Sequence, residues 1–153
     1  MELTGVVQMR GSLRIVLGDL AGNTIEERLI DNTVVTVGRA WVLGQLETVN
    51  KDTNSIGWLA VGSGTIAPTT ADTSLGNEVT RLAISAFVTT SLTINPPSWQ
   101  AQVIFATNLA NTTLAEAALL NLAAAGTMLA RATFASFVKA TSNTLSISYT
   151  ISG

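Results

Sequence analysis

No charged residue occurs between Leu82 and Ala115, and this stretch restricts how the chain can fold. Two segments that overlap it, Val79 to Leu92 and Trp99 to Thr107, are rich in Val, Ile, Phe and Thr and are predicted to be β-strands. Pro96 and Pro97 separate them and cannot lie in a central strand. Because an uncharged strand with a free edge pairs with its neighbours, we expect this hairpin to lie in the centre of a sheet or under a partner chain.

Charge is scarce along the whole chain. Only 12% of the 153 residues are charged and the formal net charge is −2, whereas soluble domains typically have about 25% charged residues. Such a composition cannot form a basic surface that neutralises many phosphates, so we expect no nucleic-acid partner. A surface with so few charges is typical of a subunit covered by other chains, and it predicts an obligate oligomer or a part of a larger particle.

The chain contains no Cys and no His. It therefore lacks thiolate and imidazole ligands and the commonest general base. A Ser or Thr nucleophile would need Lys51 or Lys139 as its base, and no motif near either lysine indicates this. The segment Gly62 to Ala67 has the form G-x-G-x-x-A, but Pro68 follows where a dinucleotide-binding helix would have to begin. We therefore expect no enzymatic activity, no catalytic residue, no cofactor and no metal.

Neither a signal peptide nor a membrane span is predicted. Met1 to Gly11 lacks the apolar region of a signal peptide and includes Glu2 and Arg10. The uncharged stretch is interrupted by Asn, Gln, Pro and many Ser and Thr residues, which makes it too polar to cross a bilayer. The sequence therefore predicts that the chain is intracellular when made, or is part of an assembly that leaves the cell by lysis, and that it has no membrane partner.

Hydrophobic alternation and turn residues predict about eight strands and two helices in a single domain that spans residues 1–153. The predicted strands are Glu2–Arg10, Leu13–Leu17, Thr24–Ile30, Ile56–Val61, Val79–Leu92, Trp99–Thr107, Met128–Val138 and Asn143–Ile151. In the last strand Leu145, Ile147, Tyr149 and Ile151 share one face. These elements predict an all-β fold, an antiparallel β-sandwich of jelly-roll-like form with one or two short helices in its connections.

Two segments are predicted to be helical. In Thr36 to Val49 the apolar residues Val42, Leu46 and Val49 follow a helical period. In Thr113 to Ala125 the sequence Thr-Leu-Ala-Glu matches a capping box, an Ala- and Leu-rich run follows, and Gly126 stands where a helix would end.

The three tryptophans, Trp41, Trp58 and Trp99, allow two interpretations. They could stack on sugar rings, as in a carbohydrate-binding β-sandwich. Their hydrophobic surroundings favour anchors in the core or in an interface, because Trp buries a large apolar area.

Two segments resemble tailed-bacteriophage virion structural proteins. The first, Gly57 to Arg81 (GWLAVGSGTIAPTTADTSLGNEVTR), combines an apolar strand, a G-x-G-T loop, Ala-Pro, Asp-Thr and Leu-x-x-Glu-x-x-Arg. The second, Thr113 to Ile151, combines an acidic-Ala segment, the sequence Gly-Thr-Met-Leu-Ala-Arg, a Lys turn and a last strand that alternates Thr and Ser. Asn32 to Gln45 fits as the helix that precedes the first segment.

The resemblance implies a capsid decoration (cement) protein at the surface of the virion. Such a protein would bind the outside of the assembled shell as a homo-oligomer, expected to be a trimer, and would clamp adjacent subunits of the major capsid protein. One alternative is a tail, tail-tip or fibre-associated component, and a second is a carbohydrate-binding β-sandwich module.

Residues 1–17 are interpreted as a possible N-terminal arm or as added strands that pair with a neighbouring chain. Apolar residues of this segment and of the uncharged hairpin are the predicted interface anchors. They are Leu3, Val6, Val7, Leu13, Ile15, Phe87, Ile94 and Trp99.

Overall fold

The structure is a computed structural model that describes residues 8–45, 54–88 and 97–153. These residues form ten strands and one helix. In chain order the elements are β1 (Arg10–Gly18), β2 (Thr24–Asp31), β3 (Thr33–Val34), α1 (Thr36–Gly44), β4 (Trp58–Gly62), β5 (Glu78–Ala83), β6 (Ala86–Val88), β7 (Ser98–Phe105), β8 (Thr113–Leu120), β9 (Met128–Val138) and β10 (Thr144–Ser152).

The strands form two five-stranded antiparallel sheets, so the prediction of an antiparallel β-sandwich is confirmed. Sheet A has the order β2-β1-β10-β7-β6, and sheet B has the order β3-β9-β8-β4-β5. The main core lies between them and contains the inward-facing residues of both sheets. Leu13 of β1, Ile147 and Tyr149 of β10 and Leu59 of β4 are fully buried in it.

The last two strands follow their predictions closely. β9 spans Met128–Val138, as predicted from its apolar content. In β10, Leu145, Ile147, Tyr149 and Ile151 are at most 7% exposed, and they pack in the core as the alternation predicts. Burial also raises the pKa of Tyr149.

The predicted helix over Thr113 to Ala125 is wrong, because this segment contains β8. β8 lies inside sheet B and pairs with β4 on one side and β9 on the other. Its residues alternate between two buried faces, with Ala117 and Leu119 in the main core. A strand that is buried on both faces needs an almost continuous apolar sequence, which single-sequence periodicity does not distinguish from a buried helix.

The outer face of sheet B is covered by the β4–β5 loop, residues 63–77. A second apolar cluster lies beneath it, in which Leu75 of the loop and Val35 pack on Ala60, Ala118 and Leu120. The small side chains of Ala60 and Ala118 allow the loop to lie close to the sheet. The centre of sheet B, where β8 lies, is therefore buried on both faces, and side chains on its outer face can form an internal site.

Helix α1 begins at Thr36, as predicted, and extends to Gly44. The rest of that predicted helix, up to Val49, lies outside the described residues beyond position 45. A Cβ atom at Gly38 would lie 2.6 Å from the Cα of Leu129, so glycine is needed where the helix crosses β9. Within the described ranges, no helix is long and apolar enough to span a bilayer.

The uncharged hairpin is divided between the two sheets. β5 is an edge strand of sheet B, and the chain then crosses at Ile84 and Ser85 to β6, an edge strand of sheet A. The prediction that the whole hairpin occupies the centre of a sheet is wrong, and the alternative that a partner chain covers it stays a prediction. Residues 89–96 lie outside the described residues.

At the N-terminal end, residues 10–17 belong to β1, which lies between β2 and β10. This part of the proposed arm is therefore an interior strand of the sandwich. Residues 1–7, which contain most of the predicted strand Glu2–Arg10, lie outside the described residues.

Candidate interaction surface

One half of sheet A has no charged residue. β6, β7 and β10 contain only apolar, hydroxyl and amide side chains, whereas β1 and β2 contain several Arg, Asp and Glu residues. On the outer face, Gln100 Nε2 donates to Thr150 Oγ1 at 3.2 Å and Gln102 Nε2 donates to Ser146 Oγ at 3.1 Å. These hydrogen bonds join β7 to β10 without any formal charge.

An apolar groove of about 340 Å³ opens at one end of this uncharged half. It lies where the main core reaches the end of the sandwich, and side chains of both sheets and of α1 line it. They include Trp41, Ile56, Phe87, Trp99, Leu129 and Ile151. None of these side chains is charged, so the groove is suited to apolar groups of a binding partner.

An aromatic pair forms the wall of the groove in sheet A. The ring centroids of Phe87 and Trp99 are 5.7 Å apart and their planes are tilted by 41°. Phe87 is 52% exposed, whereas Trp99 is half-buried against the main core. Large, half-exposed aromatic side chains at a concave surface are typical of interface anchors.

Two of the predicted interface anchors, Phe87 and Trp99, lie in this groove. Leu13 and Ile15 are buried in the main core, at 0% and 2% exposure, so they are core side chains of the folded chain rather than exposed ones. The other four, Leu3, Val6, Val7 and Ile94, lie outside the described residues.

Sequence reasoning did not select the other groove residues. The sequence predicts Trp41 as an anchor of the core or of an interface, with stacking on a sugar ring as the alternative, and the structure places it in the groove, half-buried. Ile56, Leu129 and Ile151 were interpreted only as strand residues. Their sequence context does not distinguish an open end of the core from its centre, because only the packing of both sheets shows where the core ends.

The edge strand β6 adjoins the groove. Among the described residues no strand pairs with its outer edge, and Ala86, Phe87 and Val88 include no charge. The edge strands β2 and β5 differ, because β2 contains Glu26, Glu27 and Arg28 and β5 contains Glu78 and Arg81. Charged side chains protect sheet edges from pairing with other strands, and β6 lacks this protection.

A second site, on the outer face of sheet B, holds the β4–β5 loop in place, and we call it the clamp. Glu116 of β8 is fully buried and accepts hydrogen bonds from the backbone amides of Gly64, Gly76 and Asn77 at 2.9, 3.0 and 2.7 Å. Arg131 of β9 donates to the same carboxylate through Nε at 3.0 Å and Nη2 at 2.8 Å. Five donors therefore fix one carboxylate.

Arg131 connects this carboxylate to the outer part of the loop. Its Nη1 donates to Asp72 Oδ2 at 2.6 Å and its Nη2 to the carbonyl oxygen of Ile66 at 3.1 Å. Asp72 also accepts from the backbone amide and the hydroxyl of Thr69. The clamp thus holds the loop at several points along its length, while the side chain of Ile66 stays 78% exposed.

Hydrogen bonding determines the charge state of the clamp. Burial alone would raise the pKa of the Glu116 carboxyl, but three backbone amides and Arg131 outweigh it and hold that pKa below its usual value. The pKa of Asp72 is also lowered, because hydrogen bonds from Thr69 and Arg131 outweigh its burial. Both carboxylates are therefore ionised at neutral pH and neutralise the buried guanidinium.

The clamp explains the glycines of the G-x-G-T motif. A Cβ atom at Gly64 would lie 2.7 Å from Cδ of Glu116, and one at Gly62 would lie 2.9 Å from its Cγ. Both positions must stay free of a side chain for the loop to approach the carboxylate. The glycines of the motif therefore allow the loop to enclose the buried Glu116 carboxylate.

Lys139 is also buried, at 1% exposure. Its Nζ donates to the carbonyl oxygen of Ala106 and to Asn111 Oδ1, both at 2.9 Å. Burial lowers the pKa of this ammonium group. These contacts attach the β7–β8 connection to the end of β9, which is a structural role.

Comparisons with models of protein families, with curated proteins and with solved structures find no match to this chain.

Proposed function

We propose that the protein is a phage capsid decoration protein that binds the outside of the assembled shell and stabilises it by holding adjacent subunits of the major capsid protein together. The observation that carries the proposal is the uncharged half of sheet A with its open apolar groove. A surface of this kind gains stability when another protein covers it, because apolar area is removed from water.

The resemblance to phage virion proteins supports the same function, and the clamp explains why its motifs occur together. Gly64 and Asp72 belong to the first resembling segment, and Glu116 and Arg131 belong to the second. All four meet at the clamp. The residues that carry the resemblance thus form one structural unit, which holds the β4–β5 loop in a single conformation for contact with a partner.

Apolar contacts and strand pairing would supply most of the binding energy, at about 25 cal/mol for each Å² of apolar area removed from water. A homo-oligomer, expected to be a trimer, would engage several capsid subunits at once. Multivalent attachment lengthens the residence time without a strong single site.

The groove favours a protein partner over a sugar. Sugar sites combine an exposed aromatic face with polar groups that orient the hydroxyls of the ligand. Trp41, Trp58 and Trp99 are each half-buried, and the side chains that line the groove are predominantly apolar.

The decisive experiment is the copy number of this chain relative to the major capsid protein in purified virions, measured by quantitative mass spectrometry with isotope-labelled peptides. The expected result is about one chain for each capsid subunit, as symmetric coverage of the shell requires. A ratio many times lower would contradict decoration and favour the tail alternative. Absence of the chain from virions would contradict both virion functions.

A further inference from the structure

We infer that the β4–β5 loop opens as one unit, with the sandwich still folded, when the clamp is broken. Glu116 and Arg131 thus control which surface the outer face of sheet B presents. The inference goes beyond the proposed function, because it concerns a conformational change within one chain and requires no capsid.

Little apolar burial holds the loop on the sheet. Among loop residues 63–77, Leu75 is the one buried side chain, and it packs in the second apolar cluster with Ala60 and Ala118. Most of the loop is exposed, including Ile66 at 78%. Segments with few buried apolar contacts open at a lower free energy than the core of a protein.

Hydrogen bonds to the clamp supply most of the attachment. Three backbone amides near the two ends of the loop donate to Glu116, and the middle of the loop is bound to Arg131 through Asp72 and the carbonyl oxygen of Ile66. Both ends and the middle therefore depend on one buried ion pair. Loss of Arg131 leaves Glu116 as an unpaired buried charge, which becomes hydrated when the loop opens.

A further hydrogen bond attaches the loop to α1. The backbone amide of Thr36 donates to the carbonyl oxygen of Thr70 at 2.7 Å. Both residues are exposed, so water can replace this bond when the loop moves.

The base of the loop is closed independently of the clamp. The backbone amide of Ser63 donates to the carbonyl oxygen of Asn77 at 2.9 Å, and Asn77 Nδ2 donates to Ser63 Oγ at 2.6 Å. Beneath the loop, β4 pairs with β5 and β8, and β8 pairs with β9. The loop therefore moves as a closed unit about its base while sheet B keeps its backbone hydrogen bonds.

Opening changes the chemical character of the outer face. In the closed state the loop presents exposed hydroxyl side chains, and beneath it Ala60, Ala118 and Leu120 form an apolar layer. The exposed hydroxyl residues are Thr65, Thr69, Thr70, Thr73 and Ser74. An open loop uncovers the apolar layer, so the clamp prevents sheet B from presenting an apolar patch to solvent.

The test is hydrogen exchange of the wild-type chain, followed by nuclear magnetic resonance at several urea concentrations below the unfolding transition. The amides of Gly64, Gly76 and Asn77 report opening of the loop, and those of Ile147 and Tyr149 in β10 report unfolding of the sandwich. The loop amides are expected to be less protected than the β10 amides, by about 10-fold or more. Urea should accelerate their exchange only slightly, because a local opening exposes little surface.

The variant Arg131→Met breaks the ion pair of the clamp. Its loop amides should lose about 100-fold or more of their protection, as expected for a broken buried pair, while the β10 amides stay protected. The matched control is Arg14→Met, which removes an ion pair with Glu27 whose side chains are 50% and 51% exposed. The loop amides of this control should keep their wild-type protection.

Equal protection and equal urea dependence of the loop and β10 amides in the wild type would overturn the inference, because the loop would then open only with the whole sandwich. An Arg131→Met chain that does not fold would also overturn it, as would one whose loop amides keep their wild-type protection. None of these results bears on the copy number in virions, so failure of this inference is distinguishable from failure of the proposed function.

Discussion

The groove and the clamp show opposite uses of side-chain chemistry in one small sandwich. At the groove, the core reaches the surface and apolar side chains such as Phe87 are left partly exposed. At the clamp, charged side chains that would normally lie at the surface are buried, with Glu116 at 0% and Arg131 at 3% exposure. The few charged residues of this chain therefore serve in part to hold the β4–β5 loop in place rather than to interact with solvent.

This division has an energetic reason. A buried ion pair has a large desolvation cost, and it stabilises a fold only when its remaining hydrogen-bonding positions are also satisfied. The clamp meets this condition, because Glu116 accepts from five donors and Arg131 also donates to Asp72 and Ile66. The exposed apolar side chains of the groove have no such partners within the chain. Covering them with another protein would therefore lower the free energy, because apolar area would be removed from water.

The largest expected effect is at the centre of the clamp. Arg131→Met would leave the buried Glu116 carboxylate without its cation, and we expect the free energy of unfolding to fall by about 3–5 kcal/mol. Urea denaturation measures the change. The control is Arg14→Met, which removes the ion pair with Glu27 whose side chains are 50% and 51% exposed. That variant should lose at most about 1 kcal/mol, and equal losses for both variants would show that the clamp is no stronger than a surface pair.

A smaller effect is expected where the loop approaches Glu116. Gly64→Ala would place a methyl group against the carboxylate, and we expect a loss of about 1–3 kcal/mol from overpacking. Gly44→Ala is the control, because a Cβ atom at Gly44 would have no atom within 4 Å. It should be neutral or should stabilise α1 by up to about 1 kcal/mol. If Gly64→Ala is tolerated as well as Gly44→Ala, the close approach does not constrain the loop.

Acid should reduce the stability that the clamp contributes to the fold. The groove should be unaffected, because no acidic or basic side chain lines it. The pKa of Glu116 and of Asp72 is lower in the folded chain than in the unfolded chain, so the unfolded chain binds more protons in acid. The stabilisation by these carboxylates is therefore complete above their unfolded pKa values of about 4 and is lost as the pH falls through the folded values. Urea midpoints measured from neutral pH to about pH 3 should fall for the wild type.

The variant Glu116→Gln identifies the source of this acid dependence. It should be less stable at neutral pH and should lose less stability on acidification than the wild type. A wild-type midpoint that does not change with pH would contradict a stabilising role of the ionised carboxylates.

The smallest effect is expected at the groove. Because no charged side chain lines it, attachment to the capsid and self-association should change little between low salt and about 1 M salt, where screening reduces the Debye length to about 3 Å. Sedimentation of the oligomer and of the chain with capsid shells measures both. Steep dissociation with added salt would mean that charged residues elsewhere dominate the contact.

Much of the fold was predictable from the sequence, because several strands carry their own pattern. β9 and β10 were predicted to within a residue or two from apolar content and alternation. α1 was predicted to begin at Thr36, where it does begin. These elements could be predicted because the local conformational preference of their residues agrees with their tertiary environment.

The candidate site was predicted only in part. Phe87 and Trp99 were selected as interface anchors from their place in an uncharged hairpin, and both lie in the groove. Leu13 and Ile15 have the same apolar character, yet they face the main core. The sequence does not distinguish these cases, because the difference depends on where the opposite sheet ends.

From composition and local pattern alone, the chain could be expected to form antiparallel strands, to have few charges and to contain a glycine loop after an apolar strand. The conformation of Thr113 to Leu120, in contrast, depends on tertiary contacts. Its capping-box sequence and its Ala and Leu residues favour a helix locally, but pairing with strands on both sides and burial of both faces make it β8. The same environment makes Glu116 the buried acceptor of the clamp, because a carboxylate beneath a loop must take the amides of that loop as its donors.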